Sequence, residues 1–199
     1  MSYFRRYAFL MIFLLSIFIT ILACGVYGTK IELMKYSPHL TGDLSDYHGK
    51  KIYLMNFDNQ AQNTSVWYYY SRDKKFTYGG DSLINNYFWY AFRNAMVNLG
   101  MEVSKVDRPD PHAPGMWMTM KSFTDEQFVG QVNLQKYGNP FFVKIYTITS
   151  EPLAPGEQTP ANMEMRAYDM TNKLVEAILT DHEFKHAFFK AESEMAYGR

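Results

Sequence analysis

From Tyr7 to Cys24 the chain reads YAFLMIFLLSIFITILAC, 18 residues with no charge, broken only by Ser16 and Thr20. Arg5 and Arg6 stand just before this run. A basic start followed by an apolar stretch is an export signal, and its basic end stays in the cytoplasm. The segment must be set aside before fold elements are counted. Removing Arg5 and Arg6 leaves 18 bases against 20 acids, so the exported part carries a net charge of about −2. That balance gives no electrostatic case for binding nucleic acid, which calls for a basic excess.

The single cysteine closes the apolar run in Ile21-Leu22-Ala23-Cys24-Gly25. One thiol excludes an intrachain disulfide framework and a multi-thiolate zinc site. The pentapeptide resembles the bacterial lipobox, in which a small residue precedes a cysteine that is acylated and becomes the mature N-terminus. The chemistry accounts for the residue types: a thiol is the nucleophile in diacylglyceryl transfer, and Ala23 suits a small peptidase pocket. Leu22 and Ile21 depart from the preferred small residue and Leu. Cys24 is therefore the expected lipid attachment site. The competing expectation is an uncleaved inner-membrane anchor, since the 23 uncharged residues Tyr7–Thr29 exceed the roughly 20 that span a bilayer as a helix. Either way the remainder is tethered to a membrane outside the cytoplasm. Gly25 stands where Asp favours inner-membrane retention in enteric-type lipoproteins, so the outer membrane, with the domain facing the periplasm, is the expected address.

Residues 1–23 are thus read as export signal with lipobox, 24–50 as lipid-anchored N-terminus and tether, and 51–199 as a single α+β domain. The stretch 25–50 has no sustained period and carries Gly, Pro, Ser and Asp. If flexible it would reach about 25–30 Å; the alternative is that Ile31, Leu33 and Met34 begin a strand that docks on the domain. Ile52 and Leu54 open a central strand, and Val66–Tyr70 and Phe76–Tyr78 a hairpin. Asp81 or Ser82 is a candidate cap for a helix with Ile84, Phe88, Phe92 and Ala95 on one stripe, stopped at Gly100. Met101–Val106 reads as a strand, and the proline-rich 107–115 as a loop. Met116–Lys121, Phe128–Gln135 and Phe141–Thr149 alternate as an antiparallel meander. Met163, Ala167, Met170, Leu174 and Ile178 mark a long helix, and Asp181 caps a last short one. The expected architecture is one antiparallel sheet of five or six strands, with two main helices on one face and a short C-terminal helix.

His182-Glu183-Phe184-Lys185-His186 fits H-E-x-x-H, in which two His one turn apart bind zinc and the Glu activates its water. The motif needs a third ligand. Phe189 and Glu192 stand where an extended motif has Gly and His, leaving Glu192 and Glu194 as the downstream carboxylates. An amphipathic terminal helix packing Phe184 and Phe188 explains the same residues. No nucleotide-binding glycine pattern or serine-nucleophile elbow is present. Aromatic sets at Trp67–Tyr70 and Tyr87–Phe92 read first as core and second as a lining for lipid or peptide.

KIYLMNF, AFRNAMVNLGMEV, VGQVNLQKYGNPFFVKIYTIT and RAYDMTNKLVEAILTDHEFKHAFF are laid out as in the YajG-type envelope lipoproteins, which residues 51–190 resemble. The strand–helix–strand unit is also similar to auxiliary lipoproteins of envelope transporters and to LptE-like assembly lipoproteins. The resemblance implies a non-enzymatic accessory module with no cofactor and no catalytic or metal residues, and with an envelope protein as partner. The alternatives carried forward are a zinc protein or metalloprotease through His182, Glu183 and His186, and a periplasmic lipid or glycolipid carrier.

Overall fold

A computed structural model describes residues 28–104 and 110–197. The expected export signal, Cys24 and part of the proline-rich loop lie outside the described residues. The fold is α+β. A six-stranded sheet has the order β6 (Glu102–Ser104), β2 (Lys51–Leu54), β7 (Gly115–Phe123), β8 (Gln127–Lys136), β9 (Asn139–Thr149), with the two-residue β3 (Asp58–Asn59) also on β7. A separate three-stranded sheet has the order β1 (Thr29–Glu32), β5 (Phe76–Gly79), β4 (Tyr68–Tyr70).

The meander β7–β8–β9 is antiparallel, as its alternation predicts. The β8–β9 turn is Tyr137-Gly138, both with positive φ (50° and 81°), the two-residue geometry that matches strand twist. The large sheet as a whole is mixed, because β2 pairs in parallel with both β6 and β7. The reason is the helix α1 (Ile84–Asn98): a helical crossover returns the chain to the same end of the sheet, so the next strand runs parallel. The hairpin β4–β5 does not join this sheet but pairs with β1.

The helices cover one face. Met116, Met118 and Met120 on β7 and Phe128, Val132 and Leu134 on β8 point into the core with Ile84, Phe88, Phe92 and Ala95 of α1. Met163, Ala167, Met170, Leu174 and Ile178 of α2 (Pro160–Thr180) join them, with Phe184 and Phe188 of α3 (His182–Tyr197). Thr159 caps α2 through Asn162 N–H. Leu83, not Asp81 or Ser82, occupies the α1 N-cap, and no side chain caps it there. Tyr69, Tyr78, Phe123 and Phe88 form a chain of ring contacts that joins the small sheet to this core.

The described part of the expected tether, 28–50, is docked along the body, in line with the alternative of a docking strand begun by Ile31, Leu33 and Met34. Of the three, β1 holds only Ile31; Leu33 packs just beyond it and Met34 is exposed. Ile31, Leu33, Leu44 and Tyr47 are buried. Tyr36 stacks on Tyr168 at 4.4 Å, and its hydroxyl donates to Asn172 Oδ1 at 2.9 Å. Asn94 and Asn98 of α1 donate to Tyr36 O and Ser37 Oγ, and Tyr47 OH donates to Leu179 O. The irregular composition of this strap hid it: its contacts are single side-chain bonds to distant helices and leave no period in the sequence. Among the described residues no helix is long and apolar enough to cross a membrane.

Candidate functional site

The H-E-x-x-H residues lie on the first turns of α3, whose start is set by Asp181. Its carboxylate accepts from Glu183 N–H at 3.2 Å, and its carbonyl accepts from Lys185 N–H. Helical periodicity then divides the motif. Phe184 points inward, edge-on to Phe142 at 5.7 Å. His182 and His186 are exposed. Glu183 is held by Lys144 at 3.0 Å, and Lys185 reaches back to Asp46 in the strap at 3.4 Å. The two downstream carboxylates are also engaged, Glu192 with Lys50 at 3.0 Å and Glu194 with Lys136 at 2.8 Å. Among the described residues no three His, Cys, Asp or Glu side chains converge as a metal site would need.

Under this helix start sits a polar cluster that sequence reasoning missed. Lys144 and Tyr146 lie on the inner face of β9, beside buried Val132 and Gly130 of β8. Asp181 accepts short bonds from Tyr146 OH and, at 3.0 Å, from Lys144 Nζ. Burial works against its charge, but these donors outweigh it and hold the Asp181 carboxyl below the usual value. Burial, followed by the hydrogen bond to Asp181, pushes the Tyr146 phenol far up, so it stays a donor. A charge on the inner face of a terminal strand also discourages further strands from pairing with that edge. The signal available in the sequence was Lys144 itself, in phase with Phe142, Tyr146 and Ile148.

A second missed residue is Arg166, 9% exposed on the apolar stripe of α2. Its Nε donates to Asp125 O at 2.7 Å and its Nη2 to Ser150 O at 3.0 Å, clamping the β7–β8 turn and the end of β9 onto the helix. Nearby Asp125 accepts from Arg72 N–H at 2.8 Å, yet burial raises its pKa.

The inward phase of Lys144 turns its neighbours outward. Phe141, Val143 and Ile145 are 42%, 58% and 60% exposed on the helix-free face of the large sheet. At the Phe141 end this row meets a groove of about 560 Å³ between the β8–β9 turn and α3. Tyr137, Pro140 and Phe141 form one wall, His186 and Lys190 the other, with Ala187 and Ala191 lining its side on the helix. The arrangement joins apolar and aromatic surface to three basic side chains, His186, Lys190 and Lys136, the last paired with Glu194. It brings together no nucleophile with a base and no paired carboxylates. Of the predicted site residues it contains His186 and the downstream carboxylate Glu194.

No protein-family profile matches the chain, and no curated protein matches it in sequence. Among solved structures, protein XCC0632 from Xanthomonas campestris, of family DUF330, is similar in fold, with a TM-score of 0.53 and 10% identity. The alignment covers 80% of this chain and 99% of that one. At this identity the likeness concerns the fold alone.

Proposed function

We propose that the protein is a lipid-anchored component of the bacterial envelope, acylated at Cys24, that acts without catalysis as an interaction module for another envelope protein. The observation that carries the interaction reading is the row Phe141, Val143 and Ile145 on the terminal strand β9. Exposed apolar residues in contiguous rows mark contact surfaces, whereas scattered ones need no explanation. The inward Lys144 argues for docking on the face of β9, because it discourages strand addition at the edge. The anchoring reading rests on Arg5, Arg6, the apolar run and the placement of Cys24 in the sequence. Gly25 favours the outer membrane, with the domain facing the periplasm.

Two measurements test the two halves. Labelled palmitate should enter the wild-type chain and not Cys24→Ala. A mature chain that keeps Tyr7–Thr29 and takes up no label would make the apolar run an uncleaved anchor. Photo-crosslinkers placed at Val143 and Ile145 in growing cells should each trap the same protein, while one at Met165, exposed on α2, should not. Equal or absent crosslinking at all three sites would remove the interaction reading. Stoichiometric zinc lost in His182→Ala or His186→Ala would replace it with a metal protein, and co-purifying lipid in the groove with a carrier.

A further inference from the structure

A second exposed apolar cluster lies at the β4 edge of the small sheet, in a different sheet from the Phe141 row. Val66 and Trp67 are 61% and 55% exposed, and Tyr68 stands beside them. The strand register puts Tyr68 and Tyr70 of β4, Thr77 and Gly79 of β5, and Lys30 and Glu32 of β1 on one outer face, while Ile31, Tyr69 and Tyr78 face the core. Tyr68 and Tyr70 meet edge-on at 5.3 Å. Gly79 leaves the middle of the face low: a Cβ there would lie 2.8 Å from Trp67 O. The resulting depression, about 240 Å³, is lined by Lys30, Trp67, Tyr68 and Thr77.

The chain arrives from its anchor at the other end of this small sheet, beside the β4–β5 turn, three residue steps or about 10 Å along β5 from the Gly79 that Tyr68 faces. Gly28 packs so closely on the β4–β5 turn that a Cβ would fall 2.2 Å from Lys75 O. Thr29 already pairs with Phe76. Five residue steps therefore separate Cys24 from the fixed sheet, a reach of about 17 Å when fully extended. A free tether of 26 residues would let the domain turn any face outward. This short link does not.

We infer that the outer face of the small sheet, with Trp67 and Tyr68 at its β4 edge, docks on the phospholipid surface of the membrane that holds the anchor. The residue types suit that occupant, since Trp and Tyr place an apolar ring and a polar tip at headgroup depth. The charges around the face are Lys30, Arg72, Lys74 and Lys75 against Glu32, Asp73 and Glu126. With so small an excess of bases, docking should hold on zwitterionic lipid and gain little from anionic lipid.

The inference rests on the anchor reading, and its test separates the two. The full-length acylated chain with Trp67 as its one tryptophan (Trp89→Phe, Trp117→Phe) is placed in phosphatidylethanolamine–phosphatidylglycerol vesicles. Iodide quenching of Trp67 should be at least about threefold weaker than that of a reporter at Ile145→Trp in a Trp67→Phe background. Lipid brominated near the headgroup should quench Trp67 more than lipid brominated deep in the acyl chain. Should the single-tryptophan chain not fold, the difference in bromolipid quenching between wild type and Trp67→Phe gives the same reading. Trp67 open to iodide and untouched by bromolipid, in a chain that still floats with vesicles, would overturn docking and leave the anchor standing. Protection that appears only at high protein density, without bromolipid quenching, would assign the face to a second copy instead. A chain that does not float at all would remove the anchor, and docking with it.

Discussion

Replacing Phe184 by Ala should unfold the protein far more readily than replacing either histidine of the H-E-x-x-H motif. Phe184 is fully buried, 5.7 Å from the Phe142 ring and 6.2 Å from the Phe188 ring. Truncating such a residue removes both its transfer free energy and the contacts of the space it leaves, a cost of about 3–5 kcal/mol. In a chain of 199 residues each kcal/mol moves the melting midpoint by about 2–4 °C, so Phe184→Ala should melt roughly 6–20 °C lower. His182 and His186 are exposed, and their removal should stay within about 0.5 kcal/mol, or roughly 2 °C. Far-UV circular dichroism of the full chain in mild detergent measures all three, with and without a chelator. A histidine variant that melts as early as Phe184→Ala would refute the packing argument. So would a chelator that lowers the wild-type midpoint but not that of His186→Ala, because the histidines and a metal would then organise this end of the chain.

Asn172→Ala should cost about 1–2 kcal/mol, since Asn172 Oδ1 accepts from both Tyr36 OH and His39 N–H, and limited proteolysis should then begin within residues 33–41. Arg166→Met should lower the urea midpoint by an amount equivalent to about 2–4 kcal/mol, because two carbonyls, of Asp125 and Ser150, lose their donor; an unchanged midpoint would mean that water replaces the clamp. Asp181→Asn should be less stable than wild type at neutral pH. The Asp181 carboxyl is held below its ordinary value of 3.8, so its contribution is present above that value and is lost as pH falls through the lower folded one. Urea titrations at a series of pH values should show the gap between the two proteins closing in acid, and a gap that widens in acid would reverse the assignment.

Periodicity carried most of the fold into view. The Met116–Met120 alternation, the Ile84–Phe92 and Met163–Ile178 stripes and the Asp181 break all stand where the spacing puts them, because burial on one face leaves a repeat of two or of three to four. Two other features left no such trace. The strap 33–47 is held by individual side chains such as Tyr36 and Tyr47 that meet helices more than 130 residues away, and no local pattern encodes that distance. The phase of β9 was equally hidden. Phe141, Val143 and Ile145 are more uniformly apolar than Phe142, Lys144, Tyr146 and Ile148, so hydropathy favours the wrong row; the acceptor Asp181, 37 residues on, is what makes the inward Lys144 tolerable. In the H-E-x-x-H pentapeptide the middle residue, Phe184, is core and both histidines face solvent.

The β4–β5 turn of the small sheet and the β8–β9 turn lie at opposite ends of β9. Arg72, in the β4–β5 turn beside the entering chain, pairs with Glu126 at 2.8 Å, and Glu126 O accepts from Ser150 N–H just beyond the end of β9. From Thr149 to Phe141 is eight residues of continuous strand, or about 27 Å at the usual rise. A domain seated on lipid by its small sheet would thus hold the β8–β9 turn and its groove well clear of the headgroups, unless β9 lay flat along the membrane. The polar neighbours of the apolar row weigh against the flat arrangement. Phe141, Val143 and Ile145 share one face of the large sheet with Gln131 of β8 and with Asn133, which is already buried and bonded to Gln131, so covering the remaining polar surface with lipid would offset part of what the three apolar side chains return. A protein surface can supply partners for the amides while it covers the apolar row, and a bilayer core cannot. The polar neighbours of β9 therefore support the proposed protein partner alongside its exposed hydrophobic residues.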